Sequence, residues 1–215
     1  IPVALERTDT DIIGQARTGS GKTLAFLIPC IQYLITAKFT KNDGLGALVL
    51  APTRELAIQI NTVAEKLISS KHMKVHNLRY ACIMGGSNKQ AETQELQKGV
   101  NLIVATPGRL LDHLTTTDFK FDKLRYLVLD EADMLIDVGF DQDIKRISAK
   151  LPKQRVTFLF SATFTDKVED LAALSMRKMP LKIGFTDAKN VNTLQQQYIE
   201  VKAERKYAAL VALLK

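Results

Sequence analysis

Ala16-Arg17-Thr18-Gly19-Ser20-Gly21-Lys22-Thr23 lies between a short apolar run, Asp11-Ile12-Ile13-Gly14, and a long apolar stretch of helical character that begins at Lys22. A loop in that position presents backbone N–H groups and a helix N-terminus to an anion. The residue types follow the Walker A pattern, in which glycines let backbone approach phosphate. There the lysine, Lys22, reaches the β- and γ-phosphates, and the hydroxyl of Thr23 ligates Mg²⁺. One position departs: Ala16 stands where the pattern has its first glycine. The stretch therefore predicts that residues 16–23 grip a nucleoside triphosphate and its magnesium ion.

Working outward, short β-branched runs alternate with longer helical patterns. Strands are predicted at Asp11–Gly14, Ala47–Ala51, Tyr80–Met84, Asn101–Ala105, Tyr126–Asp130, Val156–Phe160 and Leu181–Ile183. Most are nearly continuous apolar runs without alternation, as expected of strands covered on both faces. Helices are predicted near Lys22–Lys38, Arg54–Ser70, Lys89–Leu96, Arg109–Leu114, Gln142–Lys150 and Asp166–Ser175. The first is apolar almost all round (Leu24, Phe26, Leu27, Ile31, Leu34, Ile35) and is expected to be buried. Such alternation implies an α/β fold with a doubly wound, mainly parallel sheet flanked by helices. Ligands of such sheets gather at the carboxyl ends of the strands, where the suggestive motifs fall.

Composition narrows the function classes. The 215 residues are 46% hydrophobic, enough for a real core in one domain, or in one domain plus a piece of another. The two cysteines, Cys30 and Cys82, are far apart in apolar surroundings, which points away from a disulfide framework or a zinc site. His72, His76 and His113 lack metal-ligand companions and read as surface or internally satisfied side chains. No signal peptide and no apolar run long enough to span a bilayer is visible, so the chain reads as intracellular and soluble, without a membrane partner. A net charge of +7 suits a polyanionic partner.

A second motif strengthens the first. Tyr126-Leu127-Val128-Leu129 ends in Asp130-Glu131-Ala132-Asp133, four apolar residues delivering an acid in the Walker B manner. Asp130 is thereby placed to meet Mg²⁺ beside Thr23, and Glu131 to orient or deprotonate an attacking water. At other strand ends, Pro52-Thr53-Arg54, Gly85-Gly86 and Thr106-Pro107-Gly108-Arg109 offer hydroxyls, guanidinium groups, close backbone approach and helix-start N–H groups. These groups hold nucleic-acid phosphates and sugars without reading bases. Pro52-Thr53 and Thr106-Pro107 are expected also to begin helices. From the residues alone, Ser161-Ala162-Thr163 is a helix cap following a strand.

Taken together these motifs resemble the DEAD-box RNA helicases, whose name spells Asp130-Glu131-Ala132-Asp133. Gly14 through Thr23 is similar to the family's motif I, Pro52 through Ala57 to motif Ia, and Gly85-Gly86 to its paired-glycine element. Thr106 through Arg109 is similar to motif Ib and Ser161-Ala162-Thr163 to motif III, all in the family's order. The resemblance implies a RecA-like P-loop NTPase domain that binds ATP and Mg²⁺, with Lys22, Asp130 and Glu131 catalytic. It implies RNA held through its sugar-phosphate backbone by Pro52, Thr53, Arg54, Gly85, Gly86 and Thr106 through Arg109. Asp133 with Ser161, Ala162 and Thr163 would then couple ATP state to RNA unwinding.

The same resemblance divides the chain at 1–187, a first RecA-like domain, and 188–215, a linker leading into a second. Gln195 through Val201 resembles that domain's opening strand and Ala208–Leu214 its first helix. The adenine-selecting segment would lie upstream of Ile1, and an arginine finger beyond Lys215. Hydrolysis by this stretch alone is accordingly expected to be very slow. Thr106–Leu114 and Lys167–Leu181 are similar to nucleolar ribosome-assembly members, which would add ribonucleoprotein partners and a nuclear or nucleolar location. An ATP-dependent RNA clamp with little turnover is the alternative reading.

Overall fold

The computed structural model describes residues 1–16, 19–177, 179–184 and 198–214. Contacts divide the chain into two units, 1–185 and 186–215, each described by itself. In the first unit the strands are β1 (Ile12–Gln15), β2 (Ala47–Leu50), β3 (Tyr80–Ile83), β4 (Leu102–Ala105), β5 (Tyr126–Leu129), β6 (Val156–Ser161) and β7 (Leu181–Ile183). Its helices are α1 (Pro2–Glu6), α2 (Lys22–Thr36), α3 (Arg54–Ile68), α4 (Lys89–Gln97), α5 (Pro107–Thr116), α6 (Ala132–Asp137), α7 (Asp141–Lys150) and α8 (Asp166–Ser175).

All seven strands pair in parallel, in the order β3-β4-β2-β5-β6-β1-β7. Strand residues alternate between two apolar layers, because successive side chains point to opposite faces. Leu48, Leu50, Leu127 and Leu129 pack with Leu110, Leu135, Ile144 and Leu171 of α5 to α8. Ala47, Val49, Val128 and Phe158 pack with Phe26, Leu34, Ile60 and Ala64 of α2 and α3. Both faces are thus covered, which is why the strands read as unbroken apolar runs.

The strand order fixes what lies next to what. β3, β4 and β2 are contiguous, so the segments that follow them (Met84 onward, Thr106 onward, Ala51 onward) share one half of the sheet's carboxyl edge. β5, β6 and β1 form the other half, where β6 separates the acid motif from the phosphate loop.

Several local expectations need correction. α2 is not buried all round: Leu24 is exposed and Ile35 half-buried, because only one stripe of the helix faces the sheet. α5 begins at Pro107, whose missing N–H costs nothing in the first turn of a helix. Two short helices, α1 and α6, escape the periodicity reading. In the second unit, residues 195–197 of the expected opening strand lie outside the described residues, and residues 198–201 form no strand. The expected helix there is α9 (Lys206–Leu213), preceded by a 3₁₀ turn over Ala203–Arg205.

Candidate active site

The phosphate loop is fastened to the sheet on its way out of β1. Ala16 N donates to Ser161 O at 3.1 Å, and Gln15 Nε2 reaches Ala162 O at 3.4 Å. Arg17 and Thr18 lie outside the described residues, so their expected roles as nucleotide ligands have no structural account. Gly19 and Ser20 lead into Gly21, the N-cap of α2, at φ 85°, a conformation open to glycine at little cost. Lys22 and Thr23 then form the helix's first turn.

Lys22 is the most telling side chain in the molecule. It is only 8% exposed, its Nζ has no hydrogen-bond partner, and it lies 3.8 Å from Asp130 Oδ1 and 3.9 Å from Glu131 Oε1. A buried ammonium without a hydrogen bond is costly, so the geometry asks for oxygen atoms from outside the protein. Asp130, directly after β5, is 2% exposed. Burial pushes its carboxyl up to about 6, against the pull of Lys22 and with the help of Glu131. Its Oδ1 accepts from Glu131 N at 3.0 Å. Glu131 has left-handed backbone (φ 50°, ψ 57°), a strain that a non-glycine residue retains only where the surroundings enforce it. A triphosphate fits the orphaned ammonium at a helix start. A divalent cation fits a buried carboxyl that is reluctant to ionise alone, with the Thr23 hydroxyl on the same helix turn as Lys22.

Beside the loop is a cavity of about 240 Å³ lined by Gly14, Gln15, Ala16, Lys22, Phe160 and residues of α1. The contribution of Ile1 and of Val3 and Ala4 on α1 was not anticipated. Five residues opening on Pro2 are too few to carry a helical repeat.

Between the acid motif and the loop, the turn after β6 makes specific bonds to Asp133. Thr163 N and Oγ1 donate to Asp133 Oδ2 at 2.9 and 2.8 Å, and Asp133 N donates to Ser161 Oγ at 3.3 Å. Burial would raise the Asp133 carboxyl, but the Thr163 and Ser161 bonds hold it below the usual carboxylate range. The segment is no simple helix cap. α8 is capped at Thr165, and Ser161 through Thr163 instead spans from β6 to the first turn of α6.

On the other half of the edge, a cavity of about 430 Å³ is lined by Thr53, Arg54, Gly85, Thr106, Gly108 and Arg109, among others. Thr53 N-caps α3, accepting from Leu56 N at 3.2 Å, and Thr106 N-caps α5. Arg54 is exposed and lies over Gly86, where φ is 86° and an added Cβ would collide with its guanidinium. Gly108 is exposed, whereas Pro52, Thr106 and Pro107 are buried and shape the helix starts from within. Arg109 is pinned: its Nη2 donates to Ser87 O at 3.1 Å and its Nη1 lies 3.5 Å from Glu92 Oε2. Phe140 also lines this cavity and was missed; an aromatic alone among Gly139, Asp141 and Gln142 was the available signal. Among the described residues, no helix is long and apolar enough to cross a membrane.

The family model for DEAD/DEAH box helicases matches residues 1–171. The ATP-dependent RNA helicase HAS1 of Pyricularia oryzae is 48% identical over 207 residues, covering 95% of this chain and 34% of that protein. The human ATP-dependent RNA helicase DDX18 is 47% identical over 209 residues, covering 95% of this chain and 30% of that protein. The chain thus spans about a third of the length of such relatives. Among solved structures, a DEAD box protein from the hyperthermophile Methanococcus jannaschii superposes with a TM-score of 0.74 at 36% identity, covering 99% of this chain and 54% of that one. Mss116p bound to ssRNA and AMP-PNP gives a TM-score of 0.75 at 39% identity, covering 85% of this chain and 37% of that one. With its RecA-like parallel sheet and a family match over most of its length, the chain belongs to the DEAD/DEAH box helicases.

Proposed function

We propose that this chain is the ATP- and RNA-binding first RecA-like domain of an ATP-dependent RNA helicase, which couples ATP hydrolysis to local duplex unwinding or ribonucleoprotein remodelling. The observation that carries the reading is the buried Lys22 ammonium, without a hydrogen-bond partner, between Asp130 and Glu131 at a helix start.

In this reading, backbone N–H groups of the loop that follows Ala16 and the Lys22 ammonium hold the β- and γ-phosphates. Thr23 and Asp130 would hold Mg²⁺, which when bound neutralises charge on the phosphate oxygens. Glu131 orients a water in line with the γ-phosphorus. The water oxygen forms a bond to phosphorus as the bond to the bridging oxygen breaks, and the proton leaves by way of Glu131. Asp133 transmits the state of this site to Ser161 and Thr163, which sit between the acid motif and the phosphate loop. RNA lies along the β3-β4-β2 half of the edge, gripped through phosphates and sugars. The likeness to HAS1 and DDX18 supports a parent of their branch. The rest of the parent would supply the second RecA-like domain with its arginine finger, which contributes roughly 10³–10⁵ in rate to phosphoryl transfer. Its remaining segments would engage ribonucleoprotein partners.

The test is direct binding by the 215-residue chain. Fluorescent ATP should bind in a magnesium-dependent way, and labelled single-stranded RNA should bind with AMP-PNP present, losing affinity with log salt at about −0.7 per phosphate contact. A chain that binds neither nucleotide nor RNA would refute the assignment.

A further inference from the structure

Glu92 and His113 are buried titratable groups for which the reading above has no use. Glu92, on α4, is 7% exposed, and His113, on α5, is completely buried. The Glu92 carboxylate accepts from Met84 N at 3.1 Å, from the Ser87 hydroxyl, and from His113 Nε2 at 2.9 Å. Arg109 Nη1 stands 3.5 Å away, while the same guanidinium donates through Nη2 to Ser87 O. His113 is held in turn, its Nδ1 2.8 Å from Thr117 Oγ1. Burial would raise the Glu92 carboxyl, yet the bonds from Ser87, His113 and Met84, with Arg109 beside them, hold it below the usual carboxylate range.

Such a cluster is poorly explained by stability. A buried ion pair gives little or nothing over apolar residues of similar volume, because desolvation offsets the attraction. What it does provide is fixed geometry. Its partners are the two sides of the glycine turn (Met84 and Ser87) and one arginine of the α5 start. The same turn meets Arg54 of α3, seated over Gly86.

We infer that Glu92 is a positioning residue for the RNA grip, locking the Gly85–Gly86 turn and Arg109 into one arrangement, with His113 orienting its carboxylate. The inference rests on the RNA-binding reading above. Arg109 then acts with one edge of its fork spent on protein partners, and its aim depends on Glu92. Arg54 depends on it at one remove, through the turn on which it lies.

The experiment compares the 215-residue chain with Glu92→Gln, Arg109→Ala, the double variant and Ser87→Ala. The readouts are anisotropy of labelled oligouridylate with AMP-PNP and Mg²⁺, fluorescent-ATP affinity, and thermal midpoint. Glu92→Gln keeps the shape and loses the charge; RNA affinity should fall about tenfold, with ATP affinity unchanged within about twofold. In the Arg109→Ala background the same change should cost less than about threefold, since the two act as a unit. A purely structural role would instead lower the midpoint and weaken both ligands together. Ser87→Ala decides the matter if Glu92→Gln folds poorly. It removes one tie to Glu92 without touching a charge and should weaken RNA binding about threefold at an unchanged midpoint. RNA binding unaltered in the folded variants, or fully additive effects of Glu92→Gln and Arg109→Ala, would overturn the inference. A wild-type chain that binds no RNA would overturn the functional reading itself, and this role with it.

Discussion

Replacing Asp130 by asparagine should make the ligand-free protein more stable while removing a group its ligand requires. The rise of the Asp130 carboxyl from an ordinary 3.8 to about 6 means that its charged form is disfavoured in the folded state by about 3 kcal/mol. Burial is the principal cause, and the group is 2% exposed, so solvent screening does little to reduce the figure. Because the folded-state value is the higher one, the favourable contribution of the protonated acid is fully present below about 3.8. It is lost as pH rises through about 6. Asparagine mimics the protonated acid at every pH and keeps an Oδ1 to accept from Glu131 N, so the variant escapes that loss.

At pH 8, with EDTA and no nucleotide, Asp130→Asn should therefore gain up to about 3 kcal/mol, or about 6–12 °C in thermal midpoint for a domain of this size. Near pH 4 the two proteins should melt together. Circular dichroism melts across that range supply the test, and magnesium-dependent ATP binding by the variant should be strongly impaired. Equal midpoints at pH 8, or a difference that persists undiminished at pH 4, would show that the carboxyl is not under the stress described.

Other outcomes follow from single contacts. Lys22→Met should weaken fluorescent-ATP binding by at least about tenfold, the effect of one lost charge-assisted bond of about 1.5–3 kcal/mol, while leaving the melting midpoint unchanged or raised. Glu131→Gly should relieve the left-handed backbone and stabilise the chain by about 1 kcal/mol, read by urea titration, whereas Glu131→Gln should keep nucleotide affinity and abolish turnover in the parent. Gly86→Ala, which sets a methyl against the Arg54 guanidinium at φ 86°, should cost about 1–2 kcal/mol in stability and weaken RNA binding in the anisotropy assay. Thr163→Ala should leave ATP and RNA affinities nearly intact when each is measured alone, yet reduce the enhancement of one by the other.

What could be read from the chain in advance follows a physical line. The strands were legible because parallel strands covered on both faces leave unbroken apolar runs, and all seven end at or within one residue of the expected position. The candidate phosphate loop stood out because such chemistry is local in sequence: glycines, lysine and hydroxyl must be consecutive to share one helix start. α6 was hidden because its first turn coincides with the acid motif, whose residues drew a chemical reading first. The Glu92 cluster was not legible at all. Its members come from three separate segments, and a glutamate on α4 or a histidine on α5 gives no sign in sequence of being buried together.

The two halves of the carboxyl edge differ in how they treat charge, and that difference bears on their coupling. On the β5-β6-β1 half, charges are left in want: Lys22 lacks a hydrogen-bond partner, Asp130 resists ionising and Glu131 holds a strained backbone. A ligand that relieves these stresses binds the folded state preferentially and stabilises it by mass action. On the β3-β4-β2 half, the buried carboxylate is satisfied from several sides, so the RNA grip proposed there is already formed. Binding there costs little rearrangement. A site with unmet demands beside a preformed one suits an ordered exchange, in which nucleotide state changes the local arrangement and RNA senses it. Asp133, bonded to Ser161 and Thr163 just after β6, ties the acid motif to the turn beside the phosphate loop, within the β5-β6-β1 half.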